Sequence, residues 1–311
     1  MKKILLFATA FVMVACSSNG VVSDQNTSSS VANNDNQSLV IKGSDTEVQL
    51  VSNLAEAFGA KNPGSDISVT GGGSATGIAS LLNEEIDLAN SSRAVSQEEK
   101  ETAAKKGLTL HEFILAKDGL SVIVHPSNKL ASFTLQQLSD IYSGTVKNWK
   151  DLGGKDAPIV LYGRQSTSGT YKFFRDTVVK KDYASDMRNM EGSQAIVDAV
   201  KTDVNGIGYV GVGYIKDETE KPRTDIAIIP VQTADGTPVS PLDEAAVKSG
   251  KYPIARDIYQ YFSASPKQNA LLTSFLVYEA SPEGQEIIKK AGFYTLSQQA
   301  ADANTALLSA Q

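Results

Sequence analysis

Short apolar runs alternate with stretches of helical spacing along most of this chain. Leu39-Val40-Ile41-Lys42 reads as a strand, and Val51, Leu54, Ala55 and Phe58 follow at the period of a helix. Between them, Ser44-Asp45-Thr46-Glu47 has the spacing of a capping box, with Ser44 as cap and Glu47 as its reciprocal partner. Asp66–Thr70 is a second strand, Ile78, Leu81 and Leu82 mark one helix face, and Ile86–Ala89 is a third strand. Ser96-x-x-Glu99 opens a further helix that ends near Gly107. Strand, glycine or hydroxyl turn, and helix thus repeat three times. That rhythm predicts a parallel sheet of βαβ units with ligands gathered at the strand C-terminal ends.

The pattern then restarts. His111–Ala116 and Gly119–His125 are predicted strands flanking a Lys117-Asp118-Gly119 joint. Phe133–Tyr142 is a predicted helix, Ile159–Tyr162 a strand, and Tyr171, Phe174 and Val178 lie on one face of the next helix. Ser193 is placed to cap Gln194–Lys201, and Ile207–Gly211 reads as a central strand. Tyr252–Phe262 is strand-like, and the helices Asn269–Tyr278 and Pro282–Ala291 are closed by Gly292-Phe293. Two α/β lobes follow from this arrangement.

Four segments crowd glycine and hydroxyl residues into predicted helix starts: Gly43–Thr46, Gly71–Gly77, Asn90–Arg93 and Gly163–Thr170. The first turn of a helix has backbone N–H groups without intrahelical partners and carries partial positive charge, so it suits an oxyanion. Glycine admits close approach, hydroxyls add donors, and Arg93 and Arg164 add charge. Three segments fall in the first lobe and one in the second, which points to a small anion held between lobes. Simpler roles stand beside these. Ser44 and Glu47 could serve only as a capping box, Asp45 could complement the helix dipole or pair with Arg93, and Gly71–Gly73 could be a plain turn. Arg164, between a strand and a Ser/Gly-rich helix start, is hardest to explain as structure alone.

The N-terminus bears on location. Met1-Lys2-Lys3, an apolar Ile4–Ala15 and Val14-Ala15-Cys16 resemble a bacterial lipoprotein signal, with residues 1–15 removed and Cys16 lipidated. A plain cleaved signal is the alternative. Residues 16–38 have the composition of a disordered tether rich in Ser and Asn. Cys16 is the only cysteine, so no internal disulfide can form. The chain has 29 Lys+Arg against 35 Asp+Glu, and loss of Lys2 and Lys3 makes the body more acidic still. Such a field disfavours nucleic acid, so an anion would have to be held by local dipoles and a few arginines.

Ser44-Asp45-Thr46, Gly72–Gly77, Ser91-Ser92-Arg93, Asp118-Gly119-Leu120, Gly163-Arg164 with Ser168-Gly169-Thr170, Gly206–Tyr209 and Gly292-Phe293 occur in an order that resembles the phosphate-binding proteins of bacterial high-affinity phosphate ABC transporters, the PstS type. The resemblance implies a class II periplasmic-binding-protein fold with an inter-lobe ligand cleft. Residues 39–117 plus 252–311 would form the first lobe and 118–251 the second. It also implies a phosphate site made by Ser44, Thr46, Ser74, Thr76, Gly77, Arg164, Ser168, Gly169 and Thr170, with Arg93 as a second cation. The larger members of the family carry a carboxylate in the segment matching Asn90–Arg93, where this chain has Ser92 and Arg93 and no acid. Asp45 is then the expected acceptor for the phosphate proton. The implied partners are inorganic phosphate, permease subunits and, through the anchor, a membrane; the expected protein is a monomer without cofactor or metal.

Enzyme motifs are not found. The chain has no GxxxxGK[ST], G-x-S-x-G or HExxH segment, and its two histidines follow no metal-ligand spacing. The alternatives are an exported phosphohydrolase that reuses a phosphate cradle, a binding protein for sulfate or molybdate, and a structural surface lipoprotein.

Overall fold

The computed structural model of the protein describes residues 38–217, 219–263 and 269–309. The signal, Cys16 and the tether up to residue 37 lie outside the described residues. Ser38, expected at the tether's end, is the first residue of a strand.

The first lobe is built on strands β1 (Ser38–Gly43), β2 (Asp66–Thr70), β3 (Leu88–Ser91) and β4 (His111–Gly119), with helices α1 (Val48–Lys61), α2 (Ser74–Leu82) and α3 (Gln97–Lys105) between them. The chain crosses to the second lobe, which holds β5 (Ser121–Val124), α4 (Leu135–Tyr142), β6 (Val160–Arg164), α5 (Gly169–Phe174), β7 (Arg188–Met190), α6 (Gly192–Thr202), β8 (Gly206–Val210) and β9 (Ala227–Ile229). A small ribbon of β10 (Val231–Gln232) and β11 (Pro238–Val239) and helix α7 (Glu244–Lys248) lead back through β12 (Ala255–Phe262). Helices α8 (Ala270–Ala280), α9 (Pro282–Lys290) and α10 (Gln298–Ser309) complete the chain.

Each lobe has a five-stranded sheet, ordered β2-β1-β3-β12-β4 in the first and β7-β6-β8-β5-β9 in the second. The repeat of strand, turn and helix yields parallel pairing of β1 with β2 and β3, as its spacing predicts. The sheet is nonetheless mixed, because β12 returns from the far end of the sequence and inserts antiparallel between β3 and β4. Local periodicity carries no information about a strand that arrives so late.

Leu39 and Ile41 alternate inward on β1 and pack with Leu50, Val51, Leu54 and Phe58 of α1. Gly43 then ends the strand at φ 146°, where a Cβ would stand 2.2 Å from the Asn90 carbonyl oxygen. Only glycine lets the chain pass so close to β3, and this contact aims the following Ser44 turn at the neighbouring lobe. In the second lobe, Phe174 stacks on Tyr209 at 4.1 Å between ring centres, fixing α5 against β8.

Several boundaries differ from those the sequence predicts. Lys117–Gly119 is not a joint but the end of β4, held by β12, and Leu120 alone separates β4 from β5. Leu120 donates its N–H to the Ile254 carbonyl at 3.0 Å and accepts from the Tyr252 hydroxyl at 2.8 Å, so the two interlobe connections are bonded to each other. Ser44 does not cap α1: the helix starts at Val48 and Glu47 stands at its cap without a side-chain bond. Ser193 lies inside α6 rather than before it. Helix α10, unmarked by any apolar period, is clamped to β4 by Asn304, which bonds both backbone groups of Ile114.

Candidate anion-binding site

Where the two sheets face each other, hydroxyls from both lobes meet. Ser44 Oγ, from the turn after β1, donates to Ser92 Oγ at 2.9 Å. Ser92 Oγ is also 3.4 Å from Ser74 Oγ of α2 and 3.3 Å from Thr170 Oγ1 of α5. Thr46 Oγ1 lies 3.0 Å from Thr170 Oγ1, and Ser74 Oγ accepts the Ser92 N–H at 3.1 Å. All five residues are buried. Ser44, Thr46, Ser74 and Ser92 belong to the first lobe and Thr170 to the second, so Thr170 joins the cluster, and ties Thr46 to Ser92, only because the lobes are in contact.

The start of α5 makes that contact. Ser168 caps the helix by accepting the Tyr171 N–H at 3.3 Å, which leaves Gly169 and Thr170 as first-turn N–H groups without intrahelical acceptors. A Cβ on Gly169 would be 2.3 Å from Ser74 Oγ and 2.9 Å from Ser92 Oγ. Glycine therefore brings bare backbone against the opposing hydroxyls. Beside it, Ala75 donates to the Thr167 carbonyl across the lobes at 3.0 Å. The Tyr214 hydroxyl donates to the Asp45 carbonyl at 3.0 Å from the second lobe.

Two guanidinium groups frame the cluster. Arg164, at the end of β6 and 1% exposed, directs Nη2 to Asp45 Oδ2 at 2.5 Å and Nη1 to Ser193 Oγ at 3.3 Å, while its buried Nε–H has no acceptor. Asp45 Oδ1 accepts the Gly72 N–H at 2.8 Å, so this carboxylate joins the turn before α2 to the second lobe. Arg256 of β12 donates Nε to Asp118 Oδ2 at 2.8 Å, with Nη2 2.7 Å from the same oxygen but poorly aligned. Its Nη1 reaches the Ser92 carbonyl at 2.9 Å and Thr170 Oγ1 at 3.0 Å. Asp118 Oδ1 in turn accepts the Val212 N–H at 2.7 Å. The Tyr209 hydroxyl accepts the Arg164 N–H at 3.3 Å, and burial holds its phenol up at about 12, so it remains neutral. A cleft of about 830 Å³ opens beside the cluster, with Thr46 and Tyr214 in its wall.

The structure thus brings together Ser44, Asp45, Thr46, Ser74, Ser92, Arg164, Ser168, Gly169 and Thr170. It does not bring in three others. Thr76 spends its hydroxyl on the Gly72 carbonyl at 2.8 Å. Gly77 donates its N–H to the Gly73 carbonyl, and a Cβ there would be 2.5 Å from the Lys42 oxygen, so its role is close packing of α2 on β1. Arg93 pairs neither with Asp45 nor with the cluster. Its two terminal nitrogens grip Glu99 at 2.8 and 2.7 Å, and the side chain is buried in that pairing. Arg256, Asp118, Ser193 and Tyr214 were not expected at the site. Arg256 had a legible signal: on a strand whose Ile258 and Phe262 face inward, it holds the same phase. Among the described residues no group of three His, Cys, Asp or Glu is arranged to hold a metal ion.

The sequence profile of the PBP superfamily domain matches residues 26–283. The phosphate-binding protein PstS of Pseudomonas aeruginosa is 30% identical over 276 residues, covering 84% of this chain and 83% of that one. The chain belongs to the PBP superfamily and, within it, to the PstS type. PstS of Staphylococcus epidermidis is 29% identical over 78% of this chain and 74% of its own. A solved structure from Clostridium perfringens, described as a candidate phosphate ABC transporter substrate-binding protein with bound phosphate, shares 30% identity at a TM-score of 0.73 and covers 84% of this chain and 100% of that one. An ABC-type phosphate transport receptor from Vibrio cholerae, at 24% identity and a TM-score of 0.67, shows the same two-lobed fold.

Proposed function

We propose that this protein captures inorganic phosphate between its lobes and delivers it to the permease of an ABC transporter. The observation that carries this reading is the convergence of buried donors from both lobes at one place. Five hydroxyls and the first turn of α5 converge there with a buried arginine whose Nε–H lacks an acceptor. Buried donors without acceptors are costly, and a tetrahedral oxyanion offers acceptors in several directions at once. The names of the PstS relatives and of the phosphate-bound structure support phosphate among oxyanions.

The ligand set we assign is Ser44, Thr46, Ser74, Ser92, Ser168, Gly169, Thr170 and Arg164, with Arg256 behind Thr170. The hydroxyls now bond one another, so an anion enters by parting them and replacing weak neutral bonds with charge-assisted ones. Asp45 keeps a lone pair on Oδ2 for the proton that phosphate carries and sulfate lacks. Opening is assigned to the bonded pair of connections at Leu120 and Tyr252–Ile254. We further assign export, a lipid anchor at Cys16 and a monomeric state, which the signal-like N-terminus and the acidic, cysteine-poor body support.

Titration calorimetry of the full chain against phosphate, sulfate and molybdate tests the reading. Saturable one-to-one phosphate binding with weak or absent sulfate binding is expected, and preference for sulfate or no binding at all would overturn it. In cell fractionation, Cys16→Ser should leave the membrane fraction with phosphate affinity unchanged; an unmodified wild-type N-terminus in the soluble fraction contradicts the anchor.

A further inference from the structure

Glu47 follows Thr46 directly and is wholly buried, yet neither of its carboxyl oxygens meets a well-aligned donor. A carboxylate without donors in a protein interior is expensive, and holding a proton is the cheaper state. The charged groups that face it are Arg256 of β12, Asp118 of β4 and Glu279 of α8, and the Ser44 hydroxyl is the hydrogen-bonding group beside it. Arg256 is already matched by Asp118, and Glu279 is another buried acid, bonded through one oxygen to Gln260 and unpaired at the other. Burial therefore pushes the Glu47 carboxyl well above the ordinary carboxylate range, with Ser44 and Arg256 offsetting only part of that rise.

Ser44 Oγ donates its proton forward to Ser92 Oγ, which leaves its lone pairs for a donor from behind. We propose that Glu47 is a positioning residue for the anion site: as a neutral acid it donates to Ser44 Oγ and so fixes the Ser44 proton toward the anion. An ionised Glu47 does the reverse. It takes the Ser44 proton, turns oxygen lone pairs toward the ligand, and adds a negative charge to an interior where Arg164 and Arg256 are each already balanced by a carboxylate. The sign follows: the donor arrangement holds below the raised Glu47 pKa and is lost as pH rises through it. This inference rests on the phosphate reading of the site.

The test is calorimetric titration with inorganic phosphate of the full chain, E47Q, E47M, S44A and the E47M/S44A double variant, from about pH 6 to about 9. E47Q keeps a donor for Ser44 and should bind within about threefold of wild type at neutral pH, and any loss of affinity that Glu47 ionisation causes in the wild type as pH rises should be missing from it. E47M fills a similar volume without a donor and should bind about tenfold more weakly, whereas in the S44A background it should cost nothing further. Wild-type affinity in E47M, or an equal loss with and without Ser44, overturns the proposal. Should E47M not fold, an E47Q protein that folds and binds phosphate more than about tenfold more weakly than wild type at neutral pH overturns it equally, because that variant keeps the donor. Absence of phosphate binding by the wild type at every pH instead overturns the functional reading on which the proposal stands.

Discussion

Arg164 and Arg93 look alike in sequence, each beside a run of serines, and the structure gives them opposite work. Arg164 crosses to the other lobe and meets Asp45, whereas Arg93 is consumed within its own lobe by Glu99. Replacing Arg164 by Ala removes a buried charged donor and should cost about 2–5 kcal/mol of phosphate binding, read by calorimetry, with the thermal transition retained. Lysine should restore only part, since it lacks the fork that reaches Asp45 and Ser193 together. Unchanged affinity in a folded Arg164→Ala protein would place the site elsewhere. The hydroxyl and glycine segments stood out because they recur four times in one chain, whereas any one of them alone reads equally well as a cap or a turn, which is what Thr76 and Gly77 turn out to serve. Arg93 was misread because Glu99, six residues on, was already explained by a capping box, and a linear pattern does not reveal that one carboxylate does two jobs. Arg256 was overlooked because the inward face of a strand is expected to be apolar.

At the level of elements, that shared carboxylate ties the start of α3 to the loop that carries Ser92. Glu99 accepts both terminal nitrogens of Arg93 and the Ser96 N–H at 2.7 Å, completing the capping box that Ser96-x-x-Glu99 predicts. Burial raises its carboxyl, but the Arg93 fork and the Ser96 bonds outweigh it and leave the group below the usual range. A lowered folded-state pKa means the stabilisation is fully present above the ordinary glutamate pKa and fades as pH falls through the lowered value. Glu99→Gln should therefore lower the urea midpoint at neutral pH, and the gap from wild type should close in acid; a gap independent of pH argues against the ion pair as its source. Helices with an apolar stripe and strands next to glycine turns could be read locally. The direction of β12 and the existence of α10 could not, since each is decided by a partner far away, Ser91 opposite Tyr259 in one case and Ile114 opposite Asn304 in the other.

Across the whole molecule, the two lobes were legible from the restart of the βαβ rhythm, and the division of the hydroxyl segments between its halves is what first pointed to the interlobe position proposed for the ligand. The point of crossing was not, because Asp118 and Gly119 look like a turn and become strand only through Arg256 and the rest of β12. The charge matching at the site also has a kinetic side. With Arg164 opposite Asp45 and Arg256 opposite Asp118, the two arginines of the site are matched locally, and the net charge of −6 over the chain opposes a dianion at long range. Phosphate must arrive by unassisted diffusion, against mild repulsion that added salt screens. In stopped-flow measurements the association rate should hold steady or rise by up to about threefold between about 0.02 and 0.2 M salt. A rate that drops steeply with salt would reveal an attracting field, and capture by long-range steering rather than by chance encounter.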